Sequence, residues 1–281
     1  MAEKKRVIIV GFDGMDKRKI EEFGCKELQQ EHFGKIDLKD LELKTPLLWS
    51  KFITGKEDTG IDFMQAQSKE NAQKWDRRIA RFLEKFGRKG FYLRRFIGAQ
   101  IFGSTDITPD RRFMKVKSFF EQVEDSKAIQ IPGYSEYTAL KKTRIGLALG
   151  EDAAYSKETI RRDIEMEYRT RVREFFRALD KDYRLVMVHL HKPDFYGHMF
   201  PTDSIEDSME IAEMYKEMDN LAGKVRDIAG ENDLVVFLSD HGMEEGAHSP
   251  YAFYSTNKDL GLKSPEIVDF HPKILEFLGE K

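Results

Sequence analysis

The sequence predicts an α/β fold, a central, mostly parallel sheet with helices on both faces. Three observations predict it. The apolar runs VIIVGF, LVMVHL and LVVFLS are short, β-branched and unbroken by polar residues, as strands buried on both faces must be. Charged helical stretches separate them, so strands and helices alternate along the chain. Finally, 281 residues with 40% hydrophobic and 12% aromatic content are enough to bury a large core without disulfides or metal staples.

The elements follow in order. Residues 5–12 carry RVIIVGF, the first strand, closed by Asp13-Gly14. A charged helical stretch spans about 15–23. PLLWSKFIT (46–54) suits a short helix, with Pro46 in its first turn, where a missing N–H costs nothing. SKENAQKWDRRIARFLEKF (68–86) sets Trp75, Ile79, Phe82, Leu83 and Phe86 on one helical stripe. FYLRRFIGAQIFG (91–103) is apolar and aromatic and fits helix or strand equally. SFFEQVED (118–125) reads as helix and KAIQIP (127–132) as strand. A long charged helix covers about 156–180, LVMVHL (185–190) is the second clear strand, and 205–229 is another helix. DLVVFLS (233–239) is the third clear strand, AFYST (252–256) a fourth, and SPEIVDFHPKILEFLG closes the chain as a helix. The stretch from about 64 to 125 breaks the alternation. It is expected to be an inserted cap, leaving 1–63 and 126–281 as the core.

Composition excludes several classes of function. Lys and Arg number 47 and Asp and Glu 50, so the net charge is 47 − 50 = −3, with no whole-chain bias toward nucleic acid or anionic membrane. One cysteine, Cys25, rules out a disulfide framework and any thiolate-built zinc or iron–sulfur site. No apolar run approaches the roughly 20 residues of a membrane span. The opening MAEKKRVIIVGFDG is too short in its apolar part for a signal peptide. A soluble cytoplasmic protein is expected.

The chemistry gathers behind the strands. Asp13 follows the first strand, Asp194 and His198 the second, and Asp240 and His241 the third, with His248 one loop further on. In an open α/β sheet the site lies beyond the carboxyl ends of the strands, so these residues are delivered to one edge. Carboxylates and imidazoles without thiolates suit zinc, manganese or iron. Six such ligands are too many for one tetrahedral ion. They suit two ions about 3.5–4 Å apart, an arrangement that clamps a phosphoryl group. The competing reading makes the same residues helix caps and solvated turn residues.

The ordered set GFDGMD (11–16), KTPLLWSKFITG (44–55), PDFYGH (193–198), SDHGM (239–243), GAHSPYAF (246–253) and IVDFHPKILEFLG (267–279) resembles the alkaline phosphatase superfamily, in its type I phosphodiesterase/nucleotide pyrophosphatase branch. The resemblance runs through nearly the whole chain outside the expected cap and implies an alkaline-phosphatase-like core. It implies that Asp13, Asp240 and His241 hold one metal and Asp194, His198 and His248 the other. Thr45, ten residues before Gly55, matches the threonine that this family phosphorylates transiently. The implied activity is metal-dependent hydrolysis of phosphodiester or nucleotide pyrophosphate bonds through a phospho-threonine. The implied cofactors are two divalent ions, zinc first and manganese second. Alternatives are a phosphomonoesterase or phosphonate hydrolase on the same site, or a metal-holding binding protein without turnover.

The chain also departs from the family's pattern. Pro46 directly follows Thr45, where relatives place proline one residue later. The KEDTGI loop (56–61) is about two residues shorter than usual and lacks the usual histidine before Gly-Ile. IDFM (61–64) stands where nucleotide-processing relatives carry a phosphate-binding Asn. With threonine at 45, a sulfatase built on Cys or Ser is not expected. Thr45 could also serve as a plain helix cap before Pro46. His189 and His191 are expected in the core or behind the ligands, His271 and Asp219 in structural roles, and Cys25 as inert. From Lys69 to Arg95 there are ten basic and three acidic residues. An amphipathic helix with solvated charges is favoured there over a nucleic-acid surface. The expected partner is a small phosphoester, with a nucleotide one option, and no membrane.

Overall fold

The computed structural model describes residues 5–38, 41–60, 111–135, 157–200 and 204–280. In chain order the elements are β1 (Val7–Phe12), α1 (Lys17–Glu22), β2 (His32–Lys35), α2 (Thr45–Thr54), α3 (Phe119–Gln122), β3 (Ser126–Ile129), α4 (Lys157–Leu179), β4 (Leu185–Leu190), α5 (Lys192–Met199), α6 (Ile205–Ile228), β5 (Leu234–Leu238), β6 (Gly242–Glu244), β7 (Ala247–Ser249), β8 (Phe253–Thr256) and α7 (Phe270–Leu278). The three apolar runs are β1, β4 and β5, and they form the middle of a six-stranded sheet ordered β2-β8-β5-β1-β4-β3. β1 pairs parallel with β4 and with β5, and β3 joins β4 in parallel. The carboxyl ends of these strands therefore share one edge. β8 runs antiparallel to β5, and β2 antiparallel to β8. The fold is α/β with a mostly parallel sheet.

Strand periodicity divides the core in two. Ile8, Val10, Phe12, Val188 and Phe237 face α4 and α6, where Ile164, Phe175, Met218 and Leu221 meet them. Val7, Ile9, Met187 and Val236 face α2 and α7, against Leu48, Trp49, Phe52, Phe270 and Ile274. Fully burying one such side chain contributes about 1.5–3 kcal/mol, so both layers are needed to offset chain entropy. Trp49 packs directly on β1: a Cβ at Gly11 would lie 2.4 Å from its ring. That contact presses α2, and Thr45 at its start, against the strand that leads to Asp13.

Several expectations shift in detail. The helix at 118–125 shortens to α3, and the strand begins at Ser126 and stops at Ile129. Asp125 and Gln130 take left-handed φ values of 58° and 56°, which bracket and limit the strand. The closing helix starts only at Phe270, after a 3-10 turn at Ile267–Asp269. Residues 111–125, the last part of the expected insertion, contribute Met114, Phe119, Phe120 and Val123 to the second core layer. The helix expected at 68–86, the stretch 91–103 and the rest of 64–110 lie outside the described residues. Among the described residues no helix is long and apolar enough to cross a membrane.

Candidate metal centre

Each strand end presents its acid by a different local device. Asp13 follows β1, and its N–H donates to Leu190 O at 3.0 Å, holding the β1 and β4 ends together. Gly14 turns the chain at φ 72°, where a Cβ would also sit 3.0 Å from the Asp194 Cα. Asp240 and His241 leave β5 fully buried. Ser239 fixes that exit, donating to Met15 O at 2.8 Å and accepting from the Phe253 N–H at 3.0 Å. Asp194 and His198 sit four residues apart on α5, so both face the same way. A buried Lys192 at the start of α5 pairs with Glu165 of α4 and Glu217 of α6, anchoring the helix to both. His248 comes from β7, whose hairpin is tied down by Ser249 Oγ donating to Asp16 Oδ2 at 3.1 Å.

These six side chains converge. His241 Nε2 lies 3.3 Å from Asp13 Oδ1 and 3.5 Å from Asp240 Oδ2. Asp194 Oδ1 lies 3.3 Å from His198 Nε2 and 3.3 Å from His248 Nε2, and the two imidazole nitrogens are 3.1 Å apart. His241 Nε2 is 4.0 Å from Asp194 Oδ1, so the two groups adjoin. The His241 and His248 rings stack with centroids 3.8 Å apart. Donor sets able to hold an ion are Asp13-Asp240-His241 and Asp194-His241-His248, and a further one is Asp13-His189-His191. Thr45 Oγ1 stands beside the first group, 3.3 Å from Asp13 Oδ1 and 3.5 Å from His241 Nε2. It is the first residue of α2, whose cap position is Lys44, so its hydroxyl is not used as the cap.

The three histidines share one feature that settles their tautomer. Each Nδ1 meets a backbone carbonyl: His241 at Gly242 O (2.9 Å), His198 at Gly246 O (2.8 Å) and His248 at Leu43 O (2.9 Å). A carbonyl only accepts, so each Nδ1 carries a proton and each Nε2 presents a lone pair to the cluster in the neutral ring. Two such lone pairs 3.1 Å apart, with a carboxylate oxygen 3.3 Å from each, repel one another unless a positive charge lies between them. Among the described residues Asp194 Oδ1 and Asp240 Oδ2 are buried without a hydrogen-bond partner. Donor separations of 3.1–3.5 Å also match the edge of a tetrahedron with arms of about 2.05 Å, which is about 3.3 Å. The residues therefore fit divalent ions, by donor type and by spacing.

The electrostatics point the same way. Burial and the Asp13 charge push the Asp240 carboxyl well above its usual range. Burial acts on Asp13 and Asp194 too, but facing imidazoles outweigh it and hold both below that range. Burial opposes a charge on His241, yet Asp240, Asp13 and Asp194 together raise its pKa to about 10. Three acids in one pocket draw positive charge wherever a group can supply it.

Two further histidines lie at the inner wall. The β1–β4 register sets His189 opposite Gly11, two residues before Asp13. His189 Nε2 is 3.5 Å and His191 Nδ1 3.3 Å from Asp13 Oδ2. The only signal for this in the sequence was a histidine inside an otherwise apolar strand. The remaining residues are structural. His271 stacks on Phe119, and its Nε2 lies 3.0 Å from Gln122 Nε2. Asp219 accepts from the Leu28 N–H at 2.9 Å. Cys25 is buried, its thiol pushed up to about 12 by burial and then by Asp219.

Comparison with known proteins agrees with the fold. The alkaline phosphatase of the Antarctic bacterium TAB5 superposes with a TM-score of 0.53 at 13% identity, covering 98% of this chain and 98% of that one. The PH0037 protein of Pyrococcus horikoshii gives 0.52 at 15% identity, over 99% and 98%. At such identities these likenesses establish the fold alone. No curated protein matches the chain by sequence. The family model for type I phosphodiesterase/nucleotide pyrophosphatase matches residues 110–268, more than half of the chain, including the ends of β4 and β5. With candidate His/Asp metal sites at those strand ends, the chain belongs to the type I phosphodiesterase/nucleotide pyrophosphatase family.

Proposed function

We propose that this chain is a two-metal phosphohydrolase that cleaves phosphodiester or nucleotide pyrophosphate bonds, with Thr45 as nucleophile. The observation that carries the reading is the convergence of three imidazoles, each with Nδ1 spent on a carbonyl, on three carboxylates in one pocket. Asp13 Oδ1, Asp240 and His241 would hold the inner ion; Asp194, His198 and His248 the outer one. When bound, the two ions lower the pKa of the threonine hydroxyl and of an attacking water and screen the phosphoryl oxygens. Zinc suits this nitrogen and oxygen set best, with manganese the next candidate.

The chain's own groups then set the geometry. Thr45 Oγ1 donates to Asp13 Oδ1, which orients its lone pairs away from that carboxylate and toward the open pocket. The Thr45 hydroxyl gives its proton to solvent, its oxygen attacks phosphorus as the ester P–O bond breaks, and the departing oxygen takes a proton from solvent. A water next attacks the same phosphorus and gives up a proton to solvent, the bond to Thr45 breaks, and the Thr45 oxygen takes a proton from solvent to restore the hydroxyl. Thr45 opens the ten-residue helix α2, whose positive end favours the anionic phosphoryl group.

The test uses bis(p-nitrophenyl) phosphate and p-nitrophenyl phosphate, with zinc or manganese and with chelator. The expected result is chelator-sensitive turnover, faster on the diester, that falls on the order of 10⁴-fold in Thr45→Ala. Metal content should stay at the wild-type level. Full activity in Thr45→Ala would overturn the nucleophile, and a faster monoester would overturn the diester preference.

A further inference from the structure

We propose that the outer face of α4 is a docking track for single-stranded nucleic acid, starting beside the outer half of the metal centre. The inference rests on the diester-cleaving reading above and narrows its substrate class. The net charge of −3 hides the feature, because the feature is local.

Helix periodicity builds the track. Arg162, Met166, Arg169 and Arg173 follow one another at intervals of four, three and four residues, so they stand in one exposed row on α4. They line a groove of about 770 Å³, together with Glu158, Arg161 and Glu165. Two of the charges there are already engaged. Arg161 pairs with Glu210 of α6 at 2.7 Å. Glu165 pairs with Lys192 and accepts from the Tyr196 hydroxyl at 2.6 Å. Among the described residues no carboxylate lies within ion-pair distance of Arg162, Arg169 or Arg173. Three guanidinium groups therefore remain against one carboxylate, Glu158.

The lining selects the occupant. A groove of this volume could hold a small molecule, but such pockets are lined mainly by apolar and aromatic side chains. Guanidinium forks instead match phosphate oxygens two at a time. From Arg162 to Arg173 the row is about 16 Å long, enough for several successive phosphates of one strand. Met166, 64% exposed in the middle of the row, offers a polarizable thioether to the face of a base. An acidic peptide would satisfy the arginines and leave Met166 without a role. The position also fits. Lys157, the first residue of α4, has its Nζ 5.2 Å from the ring of Phe200, two residues after the ligand His198. A strand cleaved at the centre would meet α4 at its first turn and continue along the row.

The experiment follows the fluorescence anisotropy of a labelled oligothymidylate of twelve nucleotides on intact protein in chelator, so that nothing is cleaved. Binding is expected to weaken with salt at a log–log slope of about −2, from three phosphates at about 0.7 each. The triple variant Arg162→Gln, Arg169→Gln, Arg173→Gln should bind about tenfold more weakly or worse, with most of that slope gone. Lysine at the same three positions should keep the slope, since charge alone releases counterions. No binding by wild type, or the same affinity and slope in the glutamine variant, overturns the track. Should the variants fail to fold, competition on wild type decides. Polyglutamate at equal charge, or inorganic phosphate at equal phosphate, should leave the oligonucleotide bound. Displacement by polyglutamate would assign the groove to an acidic protein, and displacement by phosphate to an isolated anion; either overturns the nucleic-acid proposal. With metals absent, these results stand apart from the diester assay. Intact binding with failed hydrolysis overturns the proposed reaction alone, and hydrolysis without binding to the row overturns the track alone.

Discussion

The two halves of the candidate centre are built differently. The inner half, Asp13, Asp240 and His241, hangs directly from the ends of β1 and β5, and its side chains are at most 3% exposed. The outer half rides on helix α5 and the β6–β7 hairpin; Asp194 is 14% exposed, His248 28% and His198 35%. Strand ends in the middle of a parallel sheet are held from both sides, whereas a short helix and a hairpin are held by a few anchors. On the proposed two-ion reading, the contrast gives one ion locked in with the fold and one that exchanges with solvent and meets the substrate first.

Asp240→Asn tests the locked half. It should release the inner ion and reduce diester turnover by roughly 10³-fold, about 4 kcal/mol of transition-state stabilisation. Metal analysis and the diester assay check it, and excess zinc should not restore activity. His198→Ala tests the exchanging half. Affinity for the outer ion should weaken by roughly 10–100-fold, with turnover recovered as zinc is raised. Equal rescue of both variants would erase the contrast between the halves.

The smallest effect lies away from the centre. Burial, with Lys56 assisting, holds the His271 pKa at about 4, below its ordinary 6.5. The unfolded chain therefore takes up this proton first as pH falls. The stability contributed by neutral His271 is present above pH 6.5 and is lost toward pH 4. In chelated protein, His271→Gln should lose less stability between those pH values than wild type, read from urea midpoints. An identical acid dependence would mean that His271 is not held neutral by the fold.

Much of this was legible in the residues. β1, β4 and β5 are buried on both faces, so they appear as plain apolar runs, and Asp13, Asp240 and Asp194 follow them by one, two and four residues. β2 was not legible. HFGK carries no strand pattern, and it pairs only because β8 offers a partner over 200 residues away. Helix α5 contains Pro193 and Gly197, poor helix formers, and is held by the Lys192 pairs with α4 and α6. The carbonyls that fix the histidine tautomers are backbone groups, which any residue would supply. The approach of His189 to Asp13 depends on strand register, which local patterns do not encode.

The bond from His248 to Leu43 O joins two parts of the molecule that could have been independent. Leu43 lies two residues before Thr45, so the outer ligand and the start of α2 form one mechanical unit. Lengthening the chain between 41 and 45 would misplace a ligand and the nucleophile together. The loop at 56–60, past the far end of α2, is tied elsewhere: Thr59 Oγ1 lies 3.1 Å from Ser50 Oγ, and the Thr59 carbonyl accepts from the Lys115 N–H at 3.2 Å. A change of length there would disturb that anchorage rather than a ligand and the nucleophile together.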